Sequence, residues 1–500
     1  MPGTFTHEFA TELYNGTVTV NTGLFINGQF VDSVDRESID VISPVDGSVI
    51  TKVSIGNARD IDIAVKAARA AFKSSWGLKV PGSERGKLLY KLADLLEKNA
   101  DTVAAIEALD AGKLFTLARH RDVQNAINGL RYYAGWADKN HGQTIETTEA
   151  KFAYTRHEPI GVVGAIVPWN FPLTITIWKV APALATGNAI VLKPSEVTPL
   201  SALKLAELVK EAGFPDGVLN VVTGYGATAG QALTEHPLVG KVSFTGSTII
   251  GRKVMETAAK TNLKRVTLEL GGKSAVLIFD DADLEQAVKW VCATVFYHSG
   301  QVCAAGARIF VQEGTYERFL QAFADAAAAL KLGDNFKTAT QQGPIASQTQ
   351  LDRVLGYIES GKQEGARIVT GGSRAEGSGY FVRPTIFADV KPDMRIVREE
   401  IFGPVGVVAR FKTEEEALEA ANDTQYGLSS YVFTTNVSRA IRVSNALEAG
   451  SCFINQSAIQ SPQVPFGGYK QSGHGRELGE YALEAFTQVK AVHVNLSLKL

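Results

Sequence analysis

Apolar positions along the chain follow two periods, and the switches between them mark its elements. Residues 1–23 are polar, rich in Thr and Asn and without periodicity, and read as a frayed N-terminal arm. The run Leu24-Phe25-Ile26-Asn27-Gly28-Gln29-Phe30 then opens a strand pair. Helical spacing follows. Ile61, Ala64, Val65 and Ala68 fall at i, i+3, i+4 and i+7, and Leu88, Leu92, Leu95 and Leu96 fall at i, i+4, i+7 and i+8 behind Ser83, a candidate N-cap.

From Gly161 onward, short apolar runs alternate with helical stretches. The runs are 162–167, 189–192, 219–222, 242–244 and 275–278, and between them Leu200 to Ala212 carries leucines at 200, 203 and 208 on one helix face before Gly213 and Pro215. This alternation predicts βαβ units in a Rossmann-like, doubly wound parallel sheet, so the chain is of the α/β class. A second α/β alternation runs from about Gly271 to Lys470, with Ala324 to Leu330 among its helix formers. Two further segments, 150–156 and 490–496, alternate in strand fashion without a partner in their own blocks, so their edges need cover.

Composition narrows the class. At 500 residues the chain is too long for one core, and 45% apolar with 20% charged residues suits an ordinary globular enzyme. A formal charge of −2 with mixed signs offers no basic field to nucleic acid and no polybasic tract to a membrane. Cys292, Cys303 and Cys452 are odd in number, lack Cys-x-x-Cys spacing and stand near no His cluster, which supports neither a disulfide framework nor a metal site. The first 35 residues hold no Lys or Arg and no signal-like apolar core, so the expected compartment is the cytoplasm. Leu498-Lys499-Leu500 only partly matches the Ser-Lys-Leu peroxisomal address.

Three segments carry candidate chemistry. Gly300-Gln301-Val302-Cys303-Ala304-Ala305-Gly306 sets one thiol among small neighbours. A free thiol is only about 3% ionised at pH 7, so an attacking cysteine needs help. Upstream, Glu269-Leu270-Gly271-Gly272-Lys273 ends a strand-like run with a carboxylate beside two glycines, and Pro168-Trp169-Asn170-Phe171-Pro172 holds an amide in a Pro-bounded turn. Each has a plain structural reading too: a free cysteine is commonly a buried hydrophobe, Glu269 lies on the polar side of its strand and could face water, and an Asn often serves its own turn. Together they supply a nucleophile, a base and an oxyanion donor. In this order and at these separations the segments resemble the NAD(P)-dependent aldehyde dehydrogenase superfamily, in its class 1/2-like, fungal-type cytosolic branch, over nearly the whole chain.

The resemblance implies a cofactor domain over 24–140 and 160–270, a catalytic domain over 271–470, and a small β oligomerisation element from 141–159 and 487–500 that builds a homotetramer as a dimer of dimers. It also implies that Cys303 attacks an aldehyde while Asn170 and the Cys303 backbone N–H hold the oxyanion. A thiohemiacetal gives up hydride to nicotinamide, and Glu269 then activates the water that hydrolyses the thioester. Lys179 and Glu477 match positions proposed as a proton relay, and read equally as a buried ion pair. Branches that pass the acyl group to coenzyme A generally lack a glutamate at the position of Glu269, so hydrolysis is expected. Coenzyme A-dependent acylation and a noncatalytic structural protein on the same fold are the alternatives.

For the cofactor, Lys193-Pro194-Ser195-Glu196 follows an apolar run, at a strand's carboxyl end where open α/β sheets bind ligands. Alone it reads as a capped loop. The resemblance places Lys193 and Glu196 on the adenosine ribose, where a carboxylate accepts from a 2′-hydroxyl and repels a 2′-phosphate, favouring NAD over NADP. The glycines at 224, 226 and 230 miss the G-x-G-x-x-G fingerprint by one residue. Phe244-Thr245-Gly246-Ser247-Thr248 instead ends a strand with one glycine and hydroxyls able to start a helix facing pyrophosphate. Glu399-Glu400-Ile401-Phe402 reads as a helix cap or salt-bridge partner; by resemblance Glu400 holds the nicotinamide ribose and Phe402 packs beside the ring. The same likeness adds Ile166, Pro168, Trp169, Ser195, Gly226, Gly230 and Leu270 to the cofactor set.

The substrate pocket is expected from Phe171, Ile175, Trp178, Tyr297, Val302 and Phe466, an apolar, aromatic funnel with no arginine to pair a second carboxylate. Gln460 departs from the aromatic usual in the acetaldehyde and retinal branch, and Val302 replaces a frequent cysteine. The expected substrate is therefore a broad range of aliphatic or aromatic aldehydes.

Overall fold

Five parallel strands at the centre of an eight-stranded sheet organise the first half of the chain in the computed structural model, which describes residues 3–499. Met1, Pro2 and Leu500, the last being the end of the partial peroxisomal match, lie outside the described residues. The spatial order is Gly473–His474, Arg265–Glu269, Lys241–Thr245, Val162–Ile166, Ala189–Lys193, Leu219–Val221, Leu24–Ile26 and Gln29–Val31. The apolar runs of the sequence are these strands, and helices on both faces explain their unbroken hydrophobicity: every residue of Val162–Ile166, Ala189–Lys193 and Lys241–Thr245 is buried. Leu200–Ala212 is one of the covering helices, stopped by Gly213 at φ 91°.

Chain order decides where a ligand fits. From Val162–Ile166 the chain steps to Ala189–Lys193 and Leu219–Val221 on one side, then crosses to Lys241–Thr245 and Arg265–Glu269 on the other. The order thus reverses between Val162–Ile166 and Lys241–Thr245, which opens a crevice at their carboxyl ends.

The second sheet has seven strands in the order Arg367–Thr370, Thr385–Ala388, Val405–Phe411, Arg308–Gln312, Ala275–Ile278, Ser429–Phe433 and Ser451–Ile454, and only the first runs antiparallel to its neighbour. The helix formers at 324–330 end the longer helix Tyr316–Ala328, which buries Phe319 and Phe323 against this sheet. The chain then returns to the first sheet, where Gly473–His474 pairs with Arg265–Glu269. Phe466 and Glu477 exchange backbone hydrogen bonds of 2.7 Å on the way. Thr487–Asn495 lies antiparallel to Lys151–Pro159, with Thr144–Thr148 on the far side, so the two segments unpartnered in their own blocks pair with each other.

Two local expectations are corrected. The N-terminal segment is not a frayed arm: Thr4–Ala10 and Asn15–Asn21 form a hairpin that buries Phe9, Val18 and Val20. Phe9 meets Phe336 at 5.1 Å, and Glu207 accepts from the Asn21 backbone and side chain at 2.9 and 2.7 Å. Ser83 is not an N-cap, because the helix Gly82–Lys98 starts one residue earlier, behind Pro81. No helix among the described residues is long and apolar enough to cross a membrane.

Candidate active site

A tight turn after the helix Leu284–Phe296 delivers Cys303. His298, Ser299 and Gly300 all take left-handed backbone, with φ of 47°, 56° and 70°. Such conformations cost about 1–3 kcal/mol per non-glycine residue and need external support. Ser299 Oγ donates to the Gly343 carbonyl at 2.6 Å. The buried Gln301 amide donates to the carbonyls of His298 (3.0 Å) and Pro344 (3.3 Å), and its Oε1 accepts from Ala346 N at 2.8 Å. At Gly300 a Cβ would fall 2.1 Å from the Gly403 carbonyl oxygen, so only glycine fits.

Glu269, at the end of its strand, is 3% exposed and shares the wall of one cavity with Cys303, its Oε1 buried without a hydrogen-bond partner. Its alternating position left facing water as an alternative to a base, and the structure buries it. Burial raises the Glu269 carboxyl to about 7, partly offset by the neighbouring Cys303 thiol and the Lys179 charge. Burial, and then the Glu269 charge, push the Cys303 thiol well above the ordinary thiol range. The resting pair therefore holds its proton on sulfur, beside a carboxyl whose ionisation burial opposes.

Asn170 sits in the loop after Val162–Ile166, buried, its Nδ2 donating to the Gln301 carbonyl at 2.9 Å and its Oδ1 without a partner. One amide N–H is thus spent on orienting the side chain against the cysteine turn, and the other is left over. Lys179 and Glu477 form a buried ion pair at 2.7 Å, with Lys179 also donating to Ser243 Oγ at 3.2 Å. This chain extends beyond what the sequence suggested. Ser243 meets Thr267 at 3.3 Å, and Thr267 accepts at 2.8 Å from the buried Lys241, which burial lowers to about 7.

Two cavities meet at the half-buried Cys303. One, of about 120 Å³, occupies the crevice at the strand ends, lined by Pro168, Trp169, Asn170, Gly246, Ser247, Glu269, Leu270, Glu400 and Phe402. Ser247 caps the helix Thr248–Lys260, its Oγ accepting from Ile250 N at 3.4 Å. Glu400, raised by burial, accepts from Gly272 N at 3.1 Å, and a Cβ at Gly271 would lie 2.2 Å from its Oε2. Phe402 stands edge-on to Trp169 at 5.3 Å. Ile166 and Phe244 pair across the two switch strands. Lys193 and Glu196 pair at 3.1 Å, with Ser195 beside them, and Gly226–Gly230 forms a wide helical turn after Leu219–Val221. These last five residues, and Ile166 and Phe244 with them, lie outside the walls of the 120 Å³ cavity. A helix N-terminus, two separated carboxylates and the unpartnered buried Thr245 Oγ1 in the wall form a donor and acceptor set that fits a dinucleotide.

The other cavity, of about 320 Å³, is lined by all seven expected residues, Phe171, Ile175, Trp178, Tyr297, Val302, Gln460 and Phe466. Phe171 stacks on Tyr297 at 6.1 Å, and Trp178 tilts against Phe466 at 5.7 Å. Sequence reasoning missed Asn125, Trp290, Thr294 and Ser457 in the same wall. It also expected no arginine there, and this is corrected: Arg121 and His120 line the cavity, brought in by the turn Ala118–Val123. No periodicity in that segment could have located it beside a cysteine so distant in the chain.

Comparison with known proteins agrees with this geometry. The model of the Aldehyde dehydrogenase family matches residues 30–492. The chain is 59% identical over 500 residues to an aldehyde dehydrogenase of Agaricus bisporus, covering 100% of both chains. Among solved structures it is similar to an NAD+ complex of aldehyde dehydrogenase from Bacillus cereus, with 48% identity, TM-score 0.94, and 95% and 97% of the two chains covered. It is similar also to an indole-3-acetaldehyde dehydrogenase of P. syringae in complex with NAD+ and IAA, with 41% identity, TM-score 0.94, and 96% and 97% covered. A thiol, a buried carboxyl and an amide at the junction of two cavities, on this doubly wound scaffold, thus place the chain in the aldehyde dehydrogenase family.

Proposed function

We propose that the protein oxidises aliphatic or aromatic aldehydes to carboxylic acids with NAD+, through a covalent intermediate on Cys303. The observation that carries this reading is the position of Cys303 between the two cavities, with the buried carboxyl of Glu269 in the wall of one of them. The first sheet's domain would bind the dinucleotide, and the second supplies the nucleophile. Glu269 takes the thiol proton as sulfur adds to the aldehyde carbon, and the remaining Asn170 N–H with the Cys303 backbone N–H receives the oxyanion. Nicotinamide, held beside Cys303 by Glu400 and Phe402, would supply the acceptor for the hydride that leaves the substrate carbon. Glu269 releases the thiol proton by way of the buried Lys179–Glu477 pair, then takes a second proton from water, whose oxygen adds to the thioester carbon; the C–S bond breaks, and the acid and the Cys303 thiolate are released.

Asn170→Ala should lower kcat about 10²- to 10³-fold with little change in KM, because the amide acts on charge that develops only in the transition state. Steady-state kinetics with benzaldehyde checks this, and a pure KM effect contradicts it.

The Lys193–Glu196 pair supports NAD over NADP. Glu196→Gln should narrow the NAD/NADP ratio of kcat/KM by at least about tenfold, since a like charge facing the 2′-phosphate is removed. An unchanged ratio argues that Glu196 faces no ribose. The exposed outer strand Thr144–Thr148 supports assembly into a homotetramer by strand addition.

A further inference from the structure

We propose that Arg121 makes the outer part of the substrate cavity an anion subsite, selecting aldehydes whose far end carries a carboxylate. The inference rests on Cys303 being the reacting end of that cavity. Arg121 lines the cavity, and its guanidinium lies 5.8 Å from the Tyr297 ring centre. Tyr297 in turn stacks on Phe171, so an aromatic ladder leads from the residue next to Asn170 to the Arg121 guanidinium.

Charge accounting singles this residue out. Neighbouring cations are committed: Arg119 pairs with Asp101, and buried Lys113 pairs with Asp122. Asp122 is the one acid in the cavity wall, and Lys113 holds it, with Glu107 also near the ammonium at 4.0 Å. Among the described residues the Arg121 guanidinium makes no ion pair and no hydrogen bond to protein, and the residue is exposed where it borders the cavity. His120 adds a second potential cation, and Asn125 and Gln460 add neutral polar groups to the same wall. A neutral aldehyde uses none of this. A carboxylate across a ring from the aldehyde would meet a planar fork of guanidinium N–H donors, a charge-assisted pair at the solvent-exposed side of the cavity.

The test compares 4-carboxybenzaldehyde with its methyl ester, which has nearly the same shape without the charge. Wild-type protein should show a higher kcat/KM for the acid, and Arg121→Gln should cut the acid-to-ester ratio about tenfold. Arg121→Lys should restore part of the preference, and added salt should shrink it in wild type but not in Arg121→Gln. A ratio equal in wild type and Arg121→Gln, or an acid used less well than the ester by wild type, overturns the proposal. Calorimetric binding of 4-carbamoylbenzoate, which has no aldehyde to react, separates the two readings. Binding that weakens about tenfold in Arg121→Gln while no aldehyde is oxidised sinks the oxidation reading and leaves the subsite standing. Binding that ignores the substitution sinks the subsite alone.

Discussion

Cys303→Ala should lower NAD+-dependent aldehyde oxidation by about 10⁴-fold or more, because no other group can form the covalent intermediate. Burial pushes Cys292 up to about 12 and raises Cys452 as well, and neither lines the cavities that meet at Cys303. The turn that carries residue 303 is held by Ser299, Gly300 and Gln301, so the variant should fold and bind NAD+ normally. NADH absorbance reports activity, and thermal unfolding with and without NAD+ reports the fold. Activity within tenfold of wild type would remove the nucleophile from the account.

Glu269→Gln should lower steady-state turnover about 10²- to 10⁴-fold while leaving one rapid NADH per active site at alkaline pH. The amide fills the same space but accepts no proton from water, so the thioester forms and stalls. Removing the carboxylate also removes one of the causes that raise the Cys303 thiol, so the pH at which the burst appears should be set by the cysteine alone. In wild type the deprotonated carboxyl is the active form. With its pKa raised to about 7, turnover limited by deacylation should rise as pH increases through 7 and fall away on the acid side. Glu269→Gln should lose that inflection. A rapid-mixing profile with no burst at any pH would assign Glu269 to acylation only.

Much of this site was legible in the sequence because parallel sheets covered on both faces write their strands as unbroken apolar runs, and the loops at their ends then stand out. Asn170, Ser247 and Glu269 each follow or end such a run, and the fold brings them to one crevice. The same coverage removes the plain alternative for Glu269, a carboxylate facing water. Period-2 alternation normally separates core from solvent, but here the polar side of the strand is also inside. The N-terminal hairpin was hidden because Val18 and Val20 alternate with Thr17 and Thr19 in a polar stretch whose burial depends on Phe336 and Glu207, far along the chain. Arg121 was invisible for a similar reason. Its segment approaches the cysteine only through packing between elements, and no local pattern records which charged residue of a turn will face a cavity. Lys241 reads as the first residue of a strand, and its connection to Lys179 through Thr267 and Ser243 exists only in three dimensions.

The most direct test is intact and peptide mass spectrometry of Glu269→Gln quenched after one turnover with NAD+ and benzaldehyde. The account predicts a benzoyl group, attached as a thioester to the peptide containing Cys303, in an amount matching the NADH released. NADH release with Cys303 unmodified, or with the acyl group on another residue, would contradict it.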